Sequence, residues 1–491
     1  MFNIQRILGA RLTSVVDAMA PGGSGDPFDG LNTHEREELA SLYRQGFPRH
    51  DEFMIGEQMG QIWLWSATAD MLYEQDPEYF ENFWSKPGYV GHDQPGLVTG
   101  DLIDTTCKVE RVITVQDVID MPDFRAPGYA NIRSMAVRRA AMGQGDIAFG
   151  VEVKGVGAGY RLGVGLRMVS GKATGRQLYC TEFGGDSFFC DGRGEANILR
   201  FIDVEPGDEV HVDNHRYLAY CYWARHHLLD DHIFDSFRVD GAPIYPQHTA
   251  PDQSSLMGVA YSGQYKGKLI WVHHTLDSSL WPPQGVVYAK AVEQAQGAEG
   301  AAGRFRLRWT ENAEHVPPSI LPNRPGRATN TWLVDYQPVI EQSLKDLVGW
   351  VEQGTEPAGT AYKYQDGQVV LPATAAERGG IQAVVTVSAN GSVKAEVRVG
   401  EPVNLEVHAE VPPGAGAIIS VAWDFDGNGT YPFRHEDVDG SAREVKLSLT
   451  HTYDKPGTYF AAVLVCSHRD GDVSASSRRI PNVARARIVV T

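Results

Sequence analysis

The sequence predicts a multidomain protein of mixed class, α/β followed by all-β, on three observations. Helical patterning dominates to about residue 120 and then gives way to a period of two. A strand–helix–strand–helix order occupies residues 255–353. From Ile381 onward only short alternating strands and turns remain. At 491 residues the chain exceeds what one hydrophobic core serves, so roughly two to four domains are expected. The expected divisions are a helical N-terminal or lid segment over 1–120, a β-rich insertion over 121–250, an α/β portion over 251–355, a linker over 356–380 and a β-sandwich over 381–491.

Each element has a local cause. Asn32 or Thr33 can cap a helix through Glu35, Leu39 and Leu42, which Gly46-Phe47-Pro48 stops. A second helix is expected from Met54 to Leu72, apolar on more than one face. Asp76-Pro77 opens a short aromatic helix with Tyr79, Phe80, Phe83 and Trp84. These aromatic helices read either as ordinary core or as a lid over an apolar pocket. Ile147, Phe149, Val151 and Val153 alternate with small or polar residues, as do Leu162, Val164, Leu166 and Met168, the mark of half-buried antiparallel strands. Pro206-Gly207-Asp208 is a turn between expected strands at Leu199–Val204 and Glu209–Val212. Lys268–Val272 and Arg304–Trp309 read as parallel strands. A helix from Pro283 to Gln294 follows the first. After the second comes a helix from Tyr336 to Val351, whose apolar side carries Val339, Ile340, Leu344, Leu347, Val348 and Val351.

Composition excludes several classes. A net charge of −18 repels phosphate backbones and anionic membranes, so no nucleic acid partner is expected. No apolar run approaches the roughly 20 residues that span a bilayer. The first twenty residues are not expected to be a cleavable signal, because Arg11 and Asp17 interrupt the apolar stretch. The five cysteines form no CxxC pair, and their odd number excludes a complete disulfide framework; Cys180 and Cys190 could pair in an oxidising compartment.

The most informative stretch runs from Gly267 to Gln284. Asp277 falls in the loop leaving a buried strand at its carboxyl end, where open α/β sheets place their working groups. His315 follows the neighbouring strand at the same end. A carboxylate so placed can fix the imidazole's tautomer while the ring takes a proton from a nucleophile. The run GKLIWVHHTLDSSLWPPQG, followed by ENAEHVPPS, resembles the last two strands of an α/β-hydrolase of the tannase and feruloyl-esterase-like group. The resemblance covers about 100 residues, 255–353. It implies a partial α/β-hydrolase sheet with a helical lid and a β-rich insertion, Asp277 as the acid and His315 as the base of a catalytic triad. It also implies a serine-type ester hydrolase acting on a small-molecule or polymer ester without a cofactor. The sequence departs from that family in lacking Gly-x-Ser-x-Gly, the sharp turn that exposes the nucleophile. Gly22-Gly23-Ser24-Gly25 reads as a turn, and Ser262 lies too close to the acid strand. The nucleophile is therefore expected on an upstream segment or a partner chain.

Two further groups bear chemistry. His226, His227, Asp230, Asp231, His232 and Asp235 have spacings that can share a helix face and bind a divalent metal, though they match no known zinc pattern. The packed aromatic surroundings favour a structural role. In the terminal region, WDFDGNGT and HTYDKPGTY resemble the PKD domain, an Ig-like β-sandwich. Asp424, Asp426 and Asn428 place oxygens at alternate positions, a spacing suited to Ca²⁺; a hydrogen-bonded acidic turn is the other reading. The PKD resemblance implies an extracellular or periplasmic setting. The alternative to an esterase is a non-enzymatic secreted binding protein that uses the β-rich unit and the PKD module.

Overall fold

The computed structural model describes residues 2–57, 62–126, 129–161, 163–179, 182–189, 201–230, 232–249, 262–321, 323–324 and 326–491. The chain divides into two compact units. One comprises Asn3–Glu57 with Ala260–Thr491, and the other is Gln58–Val259. Cys180 and Cys190 lie outside the described residues.

The first unit begins with helices α1 (Phe2–Leu8), α2 (Leu12–Met19), α3 (Thr33–Arg44) and α4 (Phe53–Glu57). Asn32 caps α3: its side chain accepts from the Glu35 amide at 3.0 Å, and the Glu35 carboxylate accepts from the Asn32 amide at 2.8 Å. This capping box satisfies donors that a helix start leaves open. Ile4, Leu8, Val15, Leu39, Leu42 and Phe47 are buried together around these helices. Where one helix was expected over residues 54–72, the described residues are helical in α4, up to Glu57, and in α5 (Ile62–Gln75) of the second unit; residues 58–61 lie outside the described set.

The second unit continues with α6 (Pro77–Ser85) and α7 (Val90–Asp93). Strand β1 (Asp104–Thr114) then lies inside the stretch expected to be helical. Its burial alternates, with Cys107 and Val109 inside and Thr106, Lys108 and Glu110 outside, which is a strand's period. After α8 (Val115–Asp120) and α9 (Ala130–Ala141) come β2 (Ala148–Lys154), β3 (Gly165–Met168), β4 (Gln177–Tyr179), β5 (Glu182–Gly184), β6 (Ser187–Phe189) and β7 (Glu209–Asp213). They form one antiparallel sheet in the order β4-β3-β7-β1-β2-β6-β5. Phe201–Val204, expected as a strand, folds as a turn. Val109, Val151, Val153, Leu166, Val210 and Val212 build the sheet's core. Helix α10 (His215–Tyr220) follows β7, and a short hairpin pairs β8 (Arg238–Val239) with β9 (Ala242–Pro243). Gly163 has a positive φ of 80°, and a Cβ there would stand 2.1 Å from the Tyr217 ring, so only glycine fits. Tyr79, Phe80, Phe83, Tyr89 and Tyr222 pack into a second, aromatic core, and the Tyr79 hydroxyl donates to the Ala219 carbonyl at 2.7 Å.

The first unit resumes with β10 (Leu269–His274), α11 (Pro283–Arg304), β11 (Phe305–Thr310) and α12 (Gln337–Glu352). β10 and β11 run parallel, paired from Leu269 with Phe305 to His274 with Thr310. Among the described residues this parallel sheet has two strands, so an α/β-hydrolase sheet is not formed. Trp271, Leu307 and Trp309 pack against α11 and the residue 362–371 segment, and the other side meets the terminal sandwich. Val272 of β10 and Val339 of α12 pack into the sandwich core beside Trp423, Val463 and Ile488. Ala313 and Val334 share a further core with Ala422, Ala462 and Val483.

Residues 356–380, expected as a linker, are tied into the unit. The hairpin β12 (Lys363–Gln365) and β13 (Gln368–Val370) is held by the Gln368 side-chain amide, which donates to the Tyr43 and Phe47 carbonyls at 2.7 and 2.9 Å. Thr360 bonds to the backbone of Leu307 and Trp309. After the short α13 (Ala375–Arg378), strands β14 (Val384–Ala389), β15 (Lys394–Val397), β16 (Pro402–Glu410), β17 (Ala417–Asp424), β18 (Phe433–Arg434), β19 (Glu444–Thr452), β20 (Gly457–His468) and β21 (Ile480–Val490) form two sheets. Their orders are β14-β16-β19 and β15-β21-β20-β17-β18, with β15–β21 parallel and the other pairs antiparallel. The buried Trp423 fills the space between them.

Candidate active site

The two parallel strands deliver a carboxylate and an imidazole to one place. Pairing continues past the strand ends, with the Thr275 amide donating to the Thr310 carbonyl at 3.0 Å and the Leu276 amide to the Ala313 carbonyl at 3.1 Å. Between them Asn312 adopts φ +56°, a left-handed turn that asparagine tolerates, and the chain bulges there. The bulge brings Asp277 alongside His315, whose Nδ1 lies 3.1 Å from Asp277 Oδ2.

Asp277 is 4% exposed, and its other oxygen, Oδ1, accepts from the Ser279 and Leu280 amides at 3.0 and 2.7 Å. Three donors thus fix the carboxylate's plane and aim it at the ring. The His315 side chain is 35% exposed. Its pKa is raised above the ordinary 6.5, first by the hydrogen bond to Asp277 and against the pull of burial. The Tyr336 hydroxyl donates to the His315 carbonyl at 2.9 Å.

Sequence reasoning missed the acids behind this pair. Glu314 is 1% exposed; one of its oxygens accepts from the Ser278 amide at 2.6 Å and from the Ser278 hydroxyl, the other from the His315 amide. Burial and the charge of Asp277 push its pKa up. Asp51, fully buried just before α4, has no hydrogen-bond partner among the described residues on either carboxylate oxygen, and the Arg324 guanidinium stands 3.7 Å away. Its pKa is raised well above the carboxylate range by burial and then by Glu314. Glu314 was readable as the residue beside His315, whereas nothing near Asp51 in sequence pointed to residue 277. The neighbouring histidines are buried and neutral: burial lowers His274 to about 4, and His273 is also lowered. The Trp271 ring N–H donates to His273 Nδ1, so His273 Nε2 carries the hydrogen that goes to the Leu280 carbonyl.

A cleft of about 510 Å³ opens at the same strand ends, lined among others by His50, Thr275, Leu276, Glu311, Asn312 and Gln368. Neither Asp277 nor His315 lines it. Ser24 and Ser262 are both exposed.

The other predicted groups fare differently. Asp424 is buried, and its oxygens accept from the amides of Asp426 (3.2 Å), Gly427 (2.9 Å) and Gly429. Asn428 Oδ1 accepts from the Thr430 amide and hydroxyl at 3.0 and 2.6 Å. The Asp424–Asp426–Asn428 stretch forms a hydrogen-bonded acidic turn. That turn is also a joint, since the Gly427 and Gly429 carbonyls accept from the Ala328 amide and the Asn330 side chain at 2.7 and 3.0 Å.

The run from His226 to Asp235 does not share a helix face. Asp231 lies outside the described residues, while Asp230 and Asp235 are exposed. His227 instead meets Asp76 and His248, neither of which the spacing suggested. A second, half-exposed group joins Asp104, His211 and Asp213 across β1 and β7.

No protein-family model and no curated protein matches the chain. Among solved structures, the PKD domain of an M14-like peptidase from a Thermoplasmatales archaeon is similar over 22% of this chain and 91% of its own, at 16% identity and a TM-score of 0.16. The CARDB domain of a Pyrococcus furiosus protein, solved in complex with di-metal ions, is similar over 22% of this chain and 88% of its own, at 21% identity and a TM-score of 0.17.

Proposed function

We propose that the chain carries the acid and base of a serine-type ester hydrolase centre, with the nucleophile supplied by an upstream segment or a partner chain. The observation behind this reading is the 3.1 Å contact between His315 Nδ1 and the buried, amide-held carboxylate of Asp277. In such a centre the far nitrogen of His315, Nε2, takes the proton of an attacking serine hydroxyl. The new bond forms between that oxygen and the ester carbonyl carbon, Asp277 stabilises the imidazolium, and the same proton then passes to the departing alkoxide. The charge of Glu314, beside the ring, adds to that of Asp277 in favouring the protonated imidazole in passing. The PKD-type reading of the sandwich and an extracellular or periplasmic setting accompany this proposal. Among the described residues no helix is long and apolar enough to cross a membrane.

The test is fluorophosphonate labelling of the protein isolated from its native source with whatever chain accompanies it. The expected label falls on a serine outside these 491 residues and is abolished by His315→Ala. A label on a serine of this chain overturns the split centre. No labelling together with no hydrolysis of aryl esters overturns the hydrolase and leaves a binding protein.

A further inference from the structure

The second unit holds a convergent set of ligating atoms. Asp76 caps α6, and its Oδ1 accepts from the Tyr79 amide at 3.1 Å, which fixes the carboxylate and leaves Oδ2 for other partners. Oδ2 stands 3.0 Å from His227 Nε2 and 2.9 Å from His248 Nδ1, and all three atoms lie within 4.8 Å of one another.

Both rings are held from behind. His227 Nδ1 lies 3.0 Å from the Trp223 carbonyl, and its ring stacks on Trp223 with centroids 3.4 Å apart. His248 Nε2 lies 2.7 Å from the Tyr89 hydroxyl. A backbone carbonyl only accepts, so the Nδ1 of His227 carries a hydrogen. In a neutral ring the lone pair of Nε2 then faces a carboxylate oxygen that is itself a lone-pair donor. Two such atoms at 3.0 Å repel unless something positive lies between them.

A proton that turns the ring into an imidazolium meets that requirement, and so does a metal cation held by both atoms. Ligating histidines usually donate their second ring N–H to a carbonyl or another oxygen, as His227 does here, while His248 Nε2 shares a hydrogen bond with the Tyr89 hydroxyl. Ligands about 2.1 Å from an ion with right-angle bonds are separated by about 3.0 Å, against about 3.4 Å in a tetrahedron. The two separations here match the right-angle case. The His227 side chain is 1% exposed, while Asp76 and His248 are 15% and 12% exposed, so the set opens to solvent on one side.

We propose that Asp76, His227 and His248 form a two-histidine, one-carboxylate site for a single divalent transition metal ion, with coordination positions left open on the Asp76–His248 side. Imidazole and carboxylate ligands suit zinc, iron(II) and cobalt(II) and disfavour calcium and magnesium.

The experiment uses the full untagged chain, stripped with chelator and dialysed. It is titrated with Co²⁺ by visible absorption and with Zn²⁺ by calorimetry. One equivalent of each metal is expected to bind, Zn²⁺ is expected to displace Co²⁺, and Zn²⁺ is expected to raise the melting temperature. His248→Ala and Asp76→Asn should each weaken Co²⁺ binding by at least about tenfold. Asp76→Asn retains a helix-capping side chain, so its metal-free melting temperature tests whether the fold survives. His211→Ala, in the other cluster, should leave the titration unchanged. The proposal is overturned if the wild-type chain takes up no metal at micromolar concentration. It is equally overturned if binding persists in folded Asp76→Asn and His248→Ala, or is lost in His211→Ala.

Discussion

The Nδ1 of His315 is committed to Asp277, which leaves Nε2 to exchange protons with whatever approaches. The ring's pKa is raised in the folded chain, chiefly by that hydrogen bond. The ion pair therefore stabilises the fold fully below the ordinary value of 6.5 and fades as pH rises through the raised folded value. A general base must be neutral, so hydrolysis by the completed centre should increase with pH above 6.5. Asp277→Asn keeps an oxygen for the Ser279 and Leu280 amides but removes the charge. The His315 titration midpoint, followed by the NMR resonance of its ring carbon Cε1, should then move down. Hydrolysis should fall by as much as about 10⁴-fold, the scale seen when a triad acid is neutralised. An unmoved midpoint would show that Asp277 does not set the state of the ring. The meeting of Asp277 and His315 was legible in sequence because each follows its own strand. Asp51 was not, because its approach to Glu314 depends on α4 folding against the strand ends, which no local pattern encodes.

At the scale of single elements, α12 shows how periodicity can name a helix and misplace its inner face. Val339 is buried as expected, but Ile340, Leu344, Val348 and Val351 are 45%, 62%, 45% and 61% exposed. The buried side is instead Val339, Gln342, Ser343 and Trp350. Polar groups go inside because β11 sends a buried cation to meet them. Arg308, 1% exposed, donates to the Ser343 hydroxyl at 2.9 Å and to Asp346 at 2.6 Å, and Gln342 donates to Asp346 at 2.8 Å. A paired and hydrogen-bonded charge can be buried where a lone one cannot. Two substitutions separate the faces. Leu344→Lys should change stability by no more than about 0.5 kcal/mol. Trp350→Ala, which empties the buried side, should cost about 3–5 kcal/mol. Urea unfolding monitored by circular dichroism measures both, and a large loss for Leu344→Lys would mean the apolar stripe is covered. β1 illustrates the opposite error. Its alternation of Cys107 and Val109 with Thr106, Lys108 and Glu110 was present in the sequence, but the helical segments before it set the expectation.

For the molecule as a whole, the question is whether the terminal sandwich is an independent module. Its existence was legible, since strands of alternating residues punctuated by Gly and Pro admit few other folds. Its attachment was not, because the contacts that attach it come from side chains at unrelated sequence positions. Asn482, 1% exposed in β21, is the clearest of these. Its Oδ1 accepts from the Asn312 side chain at 2.9 Å and from the Val483 amide at 2.8 Å. Its Nδ2 donates to Glu311 at 3.0 Å and to the Ala383 carbonyl at 2.7 Å. Gln382 adds bonds to the Glu311 amide and carbonyl, and Arg485 donates to the Trp332 carbonyl at 2.7 Å. With apolar cores shared across the same boundary, the sandwich and the β10–β11 layer should open together. Asn482→Ala strands several buried partners, each worth about 1–3 kcal/mol when left unsatisfied. Peptide-resolved hydrogen exchange should then show faster exchange in β10 and β11 as well as in β20 and β21. Acceleration confined to the sandwich peptides would restore it to a separate module. It would also remove the reason for thinking that the bulge at Asn312, and with it the approach of Asp277 to His315, is braced by the sandwich.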